Sequence, residues 1–297
     1  MRLINYIKAA YHALPFVRHQ RTLISALIQL NAEFKAMRSI IAMECSANER
    51  YRNKDRYHDP KRLLKYEFQT CSQNGEDGII HEIFNRIGVT NKVFVEIGVG
   101  DGCENNTAAL LSQSWSGLWV DGDPSFLDTI AKRVDLSSGC LKSKVSIVTK
   151  DNVDKMIAEF NLPTDFDLLS LDVDQNTYHL WDGIVSFKPR CVVIEYNASV
   201  HPEVDWYATY RDDKVWDYSN NYGASLKALE RLGREKGYSL VGCDFIGMNA
   251  FFIRNDLVED KFCWPFTAEN HFEPNRVALL NRLGHRNAIL DRIAPLK

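Results

Sequence analysis

From about residue 72 to residue 254 the chain alternates short apolar runs with longer amphipathic ones, a pattern that admits few folds. Residues 92–98 (KVFVEIG), 117–121 (GLWVD), 144–148, 166–172 (FDLLSLD) and 191–196 (CVVIEY) read as buried strands. Helical stretches follow each of them, at 104–114, after Pro124, at 152–160, at 177–187 and at 223–236. A further helix precedes the first strand, with Ile79, Ile80, Ile83, Phe84 and Ile87 on one face and Gly88 as its stop. Parallel strands require long crossovers, so five strand–helix units predict an α/β, doubly wound sheet covered on both faces. The last two strands, 238–243 and 249–254, stand too close for a crossover. They predict a hairpin that leaves one antiparallel strand in a mostly parallel sheet.

The N-terminal region is of a different kind. Residues 1–66 hold 13 Lys and Arg against 5 Asp and Glu, whereas the other 231 residues hold 23 against 34. A basic arm on an acidic body suits an anionic contact: a membrane surface, a polyanionic glycan or the acidic body of a second subunit. The bland alternative is a solvated helix face. Residues 22–47 read as one helix, with Leu23, Leu27, Leu30, Phe34, Met37 and Ile41 in a single stripe. Packing on a core is the expectation for that stripe, and a homodimer through residues 22–47 is the alternative. Residues 48–66 read as a charged linker. The domains are therefore a basic helical extension (1–66), the α/β domain (67–257) and a helical tail packed on it (258–297).

No window approaches the run of about 18 apolar residues that a membrane-spanning helix needs. Lys8 and His12 break up the first apolar stretch, so no secretory signal is expected. Seven scattered cysteines without a C-x-x-C pair point to reduced thiols rather than disulfides or a zinc cluster. A cytoplasmic protein is expected, or one peripheral to the inner membrane, with no nucleic-acid partner.

In an open α/β sheet, ligands bind beyond the carboxyl ends of the strands at the switch point. That position here carries Glu96-Ile97-Gly98-Val99-Gly100-Asp101-Gly102. A dinucleotide fingerprint would place its third glycine where Cys103 stands, and no phosphate-binding lysine and hydroxyl follow. Asp121 ends the second strand, where a carboxylate can accept both hydroxyls of a ribose. Lys150-Asp151-Asn152 follows the third strand, where an adenine edge would lie, although Asp151 also suits a helix N-cap.

With these residues in place, the chain resembles the class I S-adenosylmethionine-dependent methyltransferases. The resemblance rests on VEIGVGDG, the strand-end Asp121, the LDVD turn (171–174) and the closing hairpin. SQNGEDG (72–78), VEIGVGDGCENNT (95–107), GLWVDGDP (117–124) and VVIEYN (192–197) are similar to FkbM-type methyltransferases and related glycan-cluster enzymes. The resemblance covers about residues 68–257 and implies a seven-stranded sheet with S-adenosylmethionine as methyl donor. It implies that Glu96, Gly98, Gly100, Asp121 and Asp151 hold that cofactor. Asp101, Asn152 and Asp172 complete the expected cofactor set. Gln175 departs from the family pattern, standing where relatives often show glycine.

A hydroxyl acceptor must lose a proton that is about as firmly held as that of water. A general base or a divalent cation can remove it. Asp172 and Asp174 leave the fourth strand, while Glu195 and Asn197 leave the fifth. Together they form an all-oxygen set of the kind Mg²⁺ or Mn²⁺ takes, laid out like the metal ligands of catechol-type methyltransferases. Alternatively, Asp172 and Asp174 position the substrate or the cofactor amine and Glu195 is structural. His201 is the preferred base, because its ordinary pKa lies near neutrality, with His179 behind it.

The insertion at 198–222 holds Trp206, Tyr207, Tyr210, Trp216, Tyr218 and Tyr222 among carboxylates. Flat rings beside polar groups suit a sugar or glycan acceptor, and about half of these rings are expected only to pin the loop. The expected activity is O-methylation of a sugar or glycan hydroxyl in polysaccharide biosynthesis. The alternatives are a secondary-metabolite methyltransferase and a non-catalytic glycan-binding protein.

Overall fold

The computed structural model describes residues 23–24, 26–31, 55–100, 102, 104–133, 139–212 and 219–277. Two units are distinct, one of Lys54–Arg276 with residues 285–297, the other of residues 1–53 with 277–284.

Seven strands form one sheet in the first unit, the body. They are β1 (Val93–Ile97), β2 (Ser116–Asp121), β3 (Leu141–Val145), β4 (Leu168–Leu171), β5 (Cys191–Glu195), β6 (Tyr238–Cys243) and β7 (Asn249–Arg254). The order is β3-β2-β1-β4-β5-β7-β6, with β7 antiparallel to both its neighbours and β1 to β5 parallel. The chain turns back on itself between β1 and β4. A crevice opens there at the strands' carboxyl ends.

Both faces are covered, which explains why β4 and β5 are buried end to end and read as unbroken apolar runs. On one face α1 (Glu76–Ile87), α2 (Ala108–Leu111) and α3 (Ser125–Arg133) press Ile79, Ile83, Leu110 and Phe126 into a core with Phe94, Trp119 and Val193. On the other, α4 (Val153–Ala158), α5 (Thr177–Gly183) and α6 (Leu226–Lys236) bring Ile157, Trp181 and Leu229 against Val95, Val120 and Val192. Local chemistry sets the helix ends. Ser225 caps α6 by accepting from the Ala228 amide, and Gly237, at φ 88°, closes it in the left-handed conformation.

Several boundaries differ from expectation, each for a physical reason. The third strand begins earlier than its most apolar stretch because β3 is an edge strand, paired only with β2, in which Leu141 alone is buried. The helix expected over 104–114 shrinks to α2, because residues 105–107 wrap around a buried carboxylate instead. The stretch 48–66, expected as a linker, is built into the body from Tyr57 onward: Tyr57, Leu63 and Leu64 are buried. Arg62 there donates to the Asn270 carbonyl at 3.1 Å. Residues 262–276 pack on the body, with Phe262 and Ala268 buried and Glu273 held by Arg56, Tyr57 and Arg276.

In the other unit, residues 23–24 and 26–31 are helical. Leu23, Leu27 and Leu30 are 51%, 63% and 49% exposed, so the expectation that this stripe packs on a core fails at these positions. Phe34, Met37 and Ile41 lie outside the described residues, as do 278–297. Among the described residues, no helix is long and apolar enough to cross a membrane.

Candidate functional site

The crevice is built around a close crossing of β1 and β4. Gly98, at φ 86°, passes so near β4 that a Cβ there would lie 1.5 Å from the Asp172 carbonyl oxygen. Only glycine meets both demands. Two residues on, the Gly100 amide donates to Asp121 Oδ2 at 2.8 Å, and Asp121 Oδ1 accepts from the Asp123 amide at 2.8 Å. Asp121 therefore fixes the glycine turn to the tip of β2 while it faces the crevice.

The main cleft is about 540 Å³, with apolar walls from Ile97, Val120, Ile147, Val148 and Val173. A second space of about 220 Å³ lies between the glycine turn, the start of α1 and the start of β7. Gly98 and Asp172 line both.

The polar lining is one-sided. Glu76, Glu96 and Glu104 face the smaller space, Asp121, Asp123, Asp174 and Asp212 the larger, and Asp172 both. Among the described residues, neither space is lined by Lys, Arg or His. Three buried acceptor oxygens here are orphans: Asn105 Oδ1, Asn249 Oδ1 and Glu195 Oε2. Buried acceptors without donors are costly, so a ligand that brings donors or positive charge fits.

One ligand oxygen from each of Asp172, Asp174 and Glu195 lies within 4.8 Å of the others. Asp172 opens onto the cleft, yet the protein around it and the neighbouring Asp174 push its carboxyl up to about 7. Burial raises Asp174 to about 6. Glu195 is held well above the usual carboxylate range by burial and then by these two acids, so it keeps its proton and shares it with Asp172. Asp174 also sits at φ 53°, a left-handed backbone unusual for a residue other than glycine, so strain gathers at this turn.

The other expected site residues take different places. Glu96 is saturated: its carboxylate accepts from Asn105 Nδ2 (2.7 Å), the Asn106 and Thr107 amides (2.8 and 3.2 Å), Thr107 Oγ1 (2.5 Å) and Ser170 Oγ (3.2 Å). It shapes the wall of the smaller space. Replacing Glu96 by Ala would leave these donors stranded, and chemical denaturation should show a loss of roughly 3 kcal/mol or more. Asn152 folds the loop behind the cleft, accepting from the Thr149 amide and donating to the Ile147 carbonyl. Asp151 is exposed and lines neither space. Asp101 lies outside the described residues.

Asn197 is not with the three carboxylates, because its amide is committed to the Asn220 and Tyr222 carbonyls at 2.7 and 2.9 Å. His201 is not brought to the site either. Its side chain is 68% exposed, beside Glu203, and it lines neither space.

Sequence reasoning passed over Glu76, Asn105 and Asn249, and it placed Tyr222 only among the rings of the insertion. Asn249 opens β7 opposite Glu195 and donates to Glu76 Oε1 at 2.8 Å. Burial and the acids Glu195, Asp172 and Asp174 raise the Tyr222 phenol, which stays protonated beside them. Glu76 stood inside the quoted SQNGEDG motif, but nothing in the spacing marks Tyr222 or Asn249.

The insertion after β5 is a fastened loop. Trp206 and Tyr222 are buried, while Tyr207 is 40% exposed and stacks on Tyr178 with centroids 4.2 Å apart. Trp216 and Tyr218 lie outside the described residues. Gln175 donates to the Thr209 carbonyl, Asn176 to the Arg211 carbonyl, and His179 pairs with the Ala208 carbonyl. Gln175 thus ties the β4 turn to the loop.

No family description matches the chain, and no curated protein matches it. Among solved structures it is similar to an S-adenosylmethionine-dependent methyltransferase of Clostridium acetobutylicum, at 11% identity and TM-score 0.35 over 72% of this chain and 98% of that one. It is similar to another from Mesorhizobium loti, at 12% and 0.38, over 59% and 95%. An O-methyltransferase family protein of Burkholderia thailandensis matches at 14% and 0.36, over 60% and 57%. At this identity and overlap, activity has to be read from the cleft itself.

Proposed function

We propose that this chain transfers a methyl group from S-adenosylmethionine to a hydroxyl of a sugar or glycan. The observation that carries the reading is a wall of eight acidic residues at the switch point of the sheet, with no basic one among the described residues. Such a wall repels the diphosphate of a dinucleotide and attracts a sulfonium and an ammonium. The orphaned oxygens of Asn105 and Asn249 suit the ammonium end, Asp121 a ribose, and Ile147 with Val148 an adenine face.

Bound there, S-adenosylmethionine supplies a methyl group on a positive sulfur for in-line displacement. The chain's own residues align the two partners and exclude water. Asp172, at the junction of the two spaces with a carboxyl near neutrality, is placed to receive the acceptor's proton. Glu195 holds Asp172 by their shared proton, and Tyr222 stays protonated beside the acids. The three carboxylates also suit a divalent cation, given the unpartnered Glu195 Oε2, although Asn197 does not join them. Such a cation would supply the acidification of the hydroxyl in place of the base.

Calorimetry should show S-adenosylmethionine binding that Asp121→Ala weakens about 10- to 100-fold, the loss of charge-assisted hydrogen bonds. Tight NAD binding instead would overturn the donor. Labelled methyl transfer into a polysaccharide fraction supports the acceptor, and transfer only into small molecules favours secondary metabolism. Binding without any transfer favours a non-catalytic glycan-binding protein. Turnover indifferent to a chelator and to added Mg²⁺ or Mn²⁺ leaves Asp172 as the base.

A further inference from the structure

Among residues 23–24 and 26–31, five large apolar side chains stand open: Leu23 (51%), Ile24 (56%), Leu27 (63%), Ile28 (67%) and Leu30 (49%). At 100° per residue they cover about 160° of the helix circumference, interrupted only by Asn31 at the end. A face that wide is not left in water without a partner.

The charge around it narrows what the partner is. Residues 1–43 contain six basic residues (Arg2, Lys8, Arg18, Arg21, Lys35 and Arg38) against the single acid Glu33. Two copies paired through this face would bring like charges together. The acidic body offers the opposite charge, but exposed large apolar residues such as Phe68, Val89, Val185 and Trp264 lie in four separate loops rather than along one stripe. A lipid surface answers both features, apolar beneath and anionic above.

We propose that this helical face docks on an anionic lipid surface, with leucine and isoleucine side chains seated among the acyl chains and flanking basic residues on the headgroups. It lies on the bilayer rather than spanning it, since Arg21 and Glu33 bound an apolar stretch far shorter than the run of about 18 residues that crossing needs. The acidic cleft would then be carried at a surface where lipid-linked or secreted glycans are handled.

The test uses the full chain in co-sedimentation with phosphatidylcholine vesicles, with and without phosphatidylglycerol. Binding should favour the anionic vesicles and weaken as salt rises. The double variant Leu27→Asp/Ile28→Asp should reduce it at least about tenfold, while thermal melting of the body stays unchanged. Arg18→Gln and Arg21→Gln should each reduce it about fivefold. Equal binding to both vesicle types, or no loss in the aspartate variant, overturns the proposal. So does sedimentation velocity showing that the aspartate variant only splits a dimer that never bound vesicles.

Discussion

Gly98→Ala should be the most damaging single methyl group that can be added to this chain. The new Cβ would fall 1.5 Å from the Asp172 carbonyl oxygen, and the residue would still need φ near 86°. Left-handed backbone alone costs about 1–2 kcal/mol outside glycine. The clash adds more, because the obstacle is main chain hydrogen-bonded to β1 through Asp172 N and Ile97 O, not a side chain able to swing away. A loss of about 4 kcal/mol or more is expected, a fall in melting temperature of roughly 8–16 °C. Methyl-donor binding should vanish even below the melting point, since parting β1 from β4 deforms the wall common to both spaces. Gly100→Ala is the control: nothing lies within 4 Å of its Cβ position, so only the backbone term applies. Equal melting temperatures for the two variants would refute the crossing as the critical feature.

Asp172→Asn should be the most damaging to turnover. Losing the proton acceptor should lower kcat by about 10²- to 10⁴-fold, while donor affinity should fall only about tenfold, because the asparagine oxygen still accepts. Its pH behaviour separates it from a merely structural residue. A carboxyl raised in the folded chain stabilises the fold fully below its unfolded value near 3.8, and that stability is lost as pH rises through about 7. Asp174, raised to about 6, acts in the same direction. Without ligand, the melting temperature should therefore decline from pH 5 to pH 8. Affinity for the cationic donor should climb over the same interval as the carboxylates ionise. In Asp172→Asn both slopes should flatten. Parallel slopes in variant and parent would remove Asp172 from its assigned place.

The order of elements was legible because burial on both faces writes itself into the sequence. Strand stretches such as Cys191–Ile194 have no polar side to show, and a hairpin gap is too short for anything else. Where the reading slipped, a local rule met a stronger contact. The strand expected at 144–148 lies at Leu141–Val145, where an edge position tolerates Lys142 and Lys144. The acids at the ends of β4 and β5 were legible through strand adjacency, since two neighbouring parallel strands deliver their exits to one rim.

Asn197 and His201 were misplaced for a related reason. Once the chain leaves β5, direction is set by what the loop binds. Asn197 is captured by carbonyls of residues more than twenty positions away, and His201 turns outward with the loop. Glu96 reads as a ligand contact because it precedes the glycines, but five donors reach it first. No spacing rule counts donors from residues 105–107 and 170.

The loop over the β4 turn is held by Gln175, Asn176, His179 and Asn197, and every one of these grips a main-chain carbonyl rather than a side chain. Such a clasp is blind to the identity of the residues it holds. Thr209 and Arg211, held there through their carbonyls, can therefore be exchanged while the backbone stays moored at the same points, whereas Tyr207 and Tyr210 are also tied by their rings to Tyr178 and His179. A loop fastened in this way can vary its side chains at those two positions without changing its course over the turn.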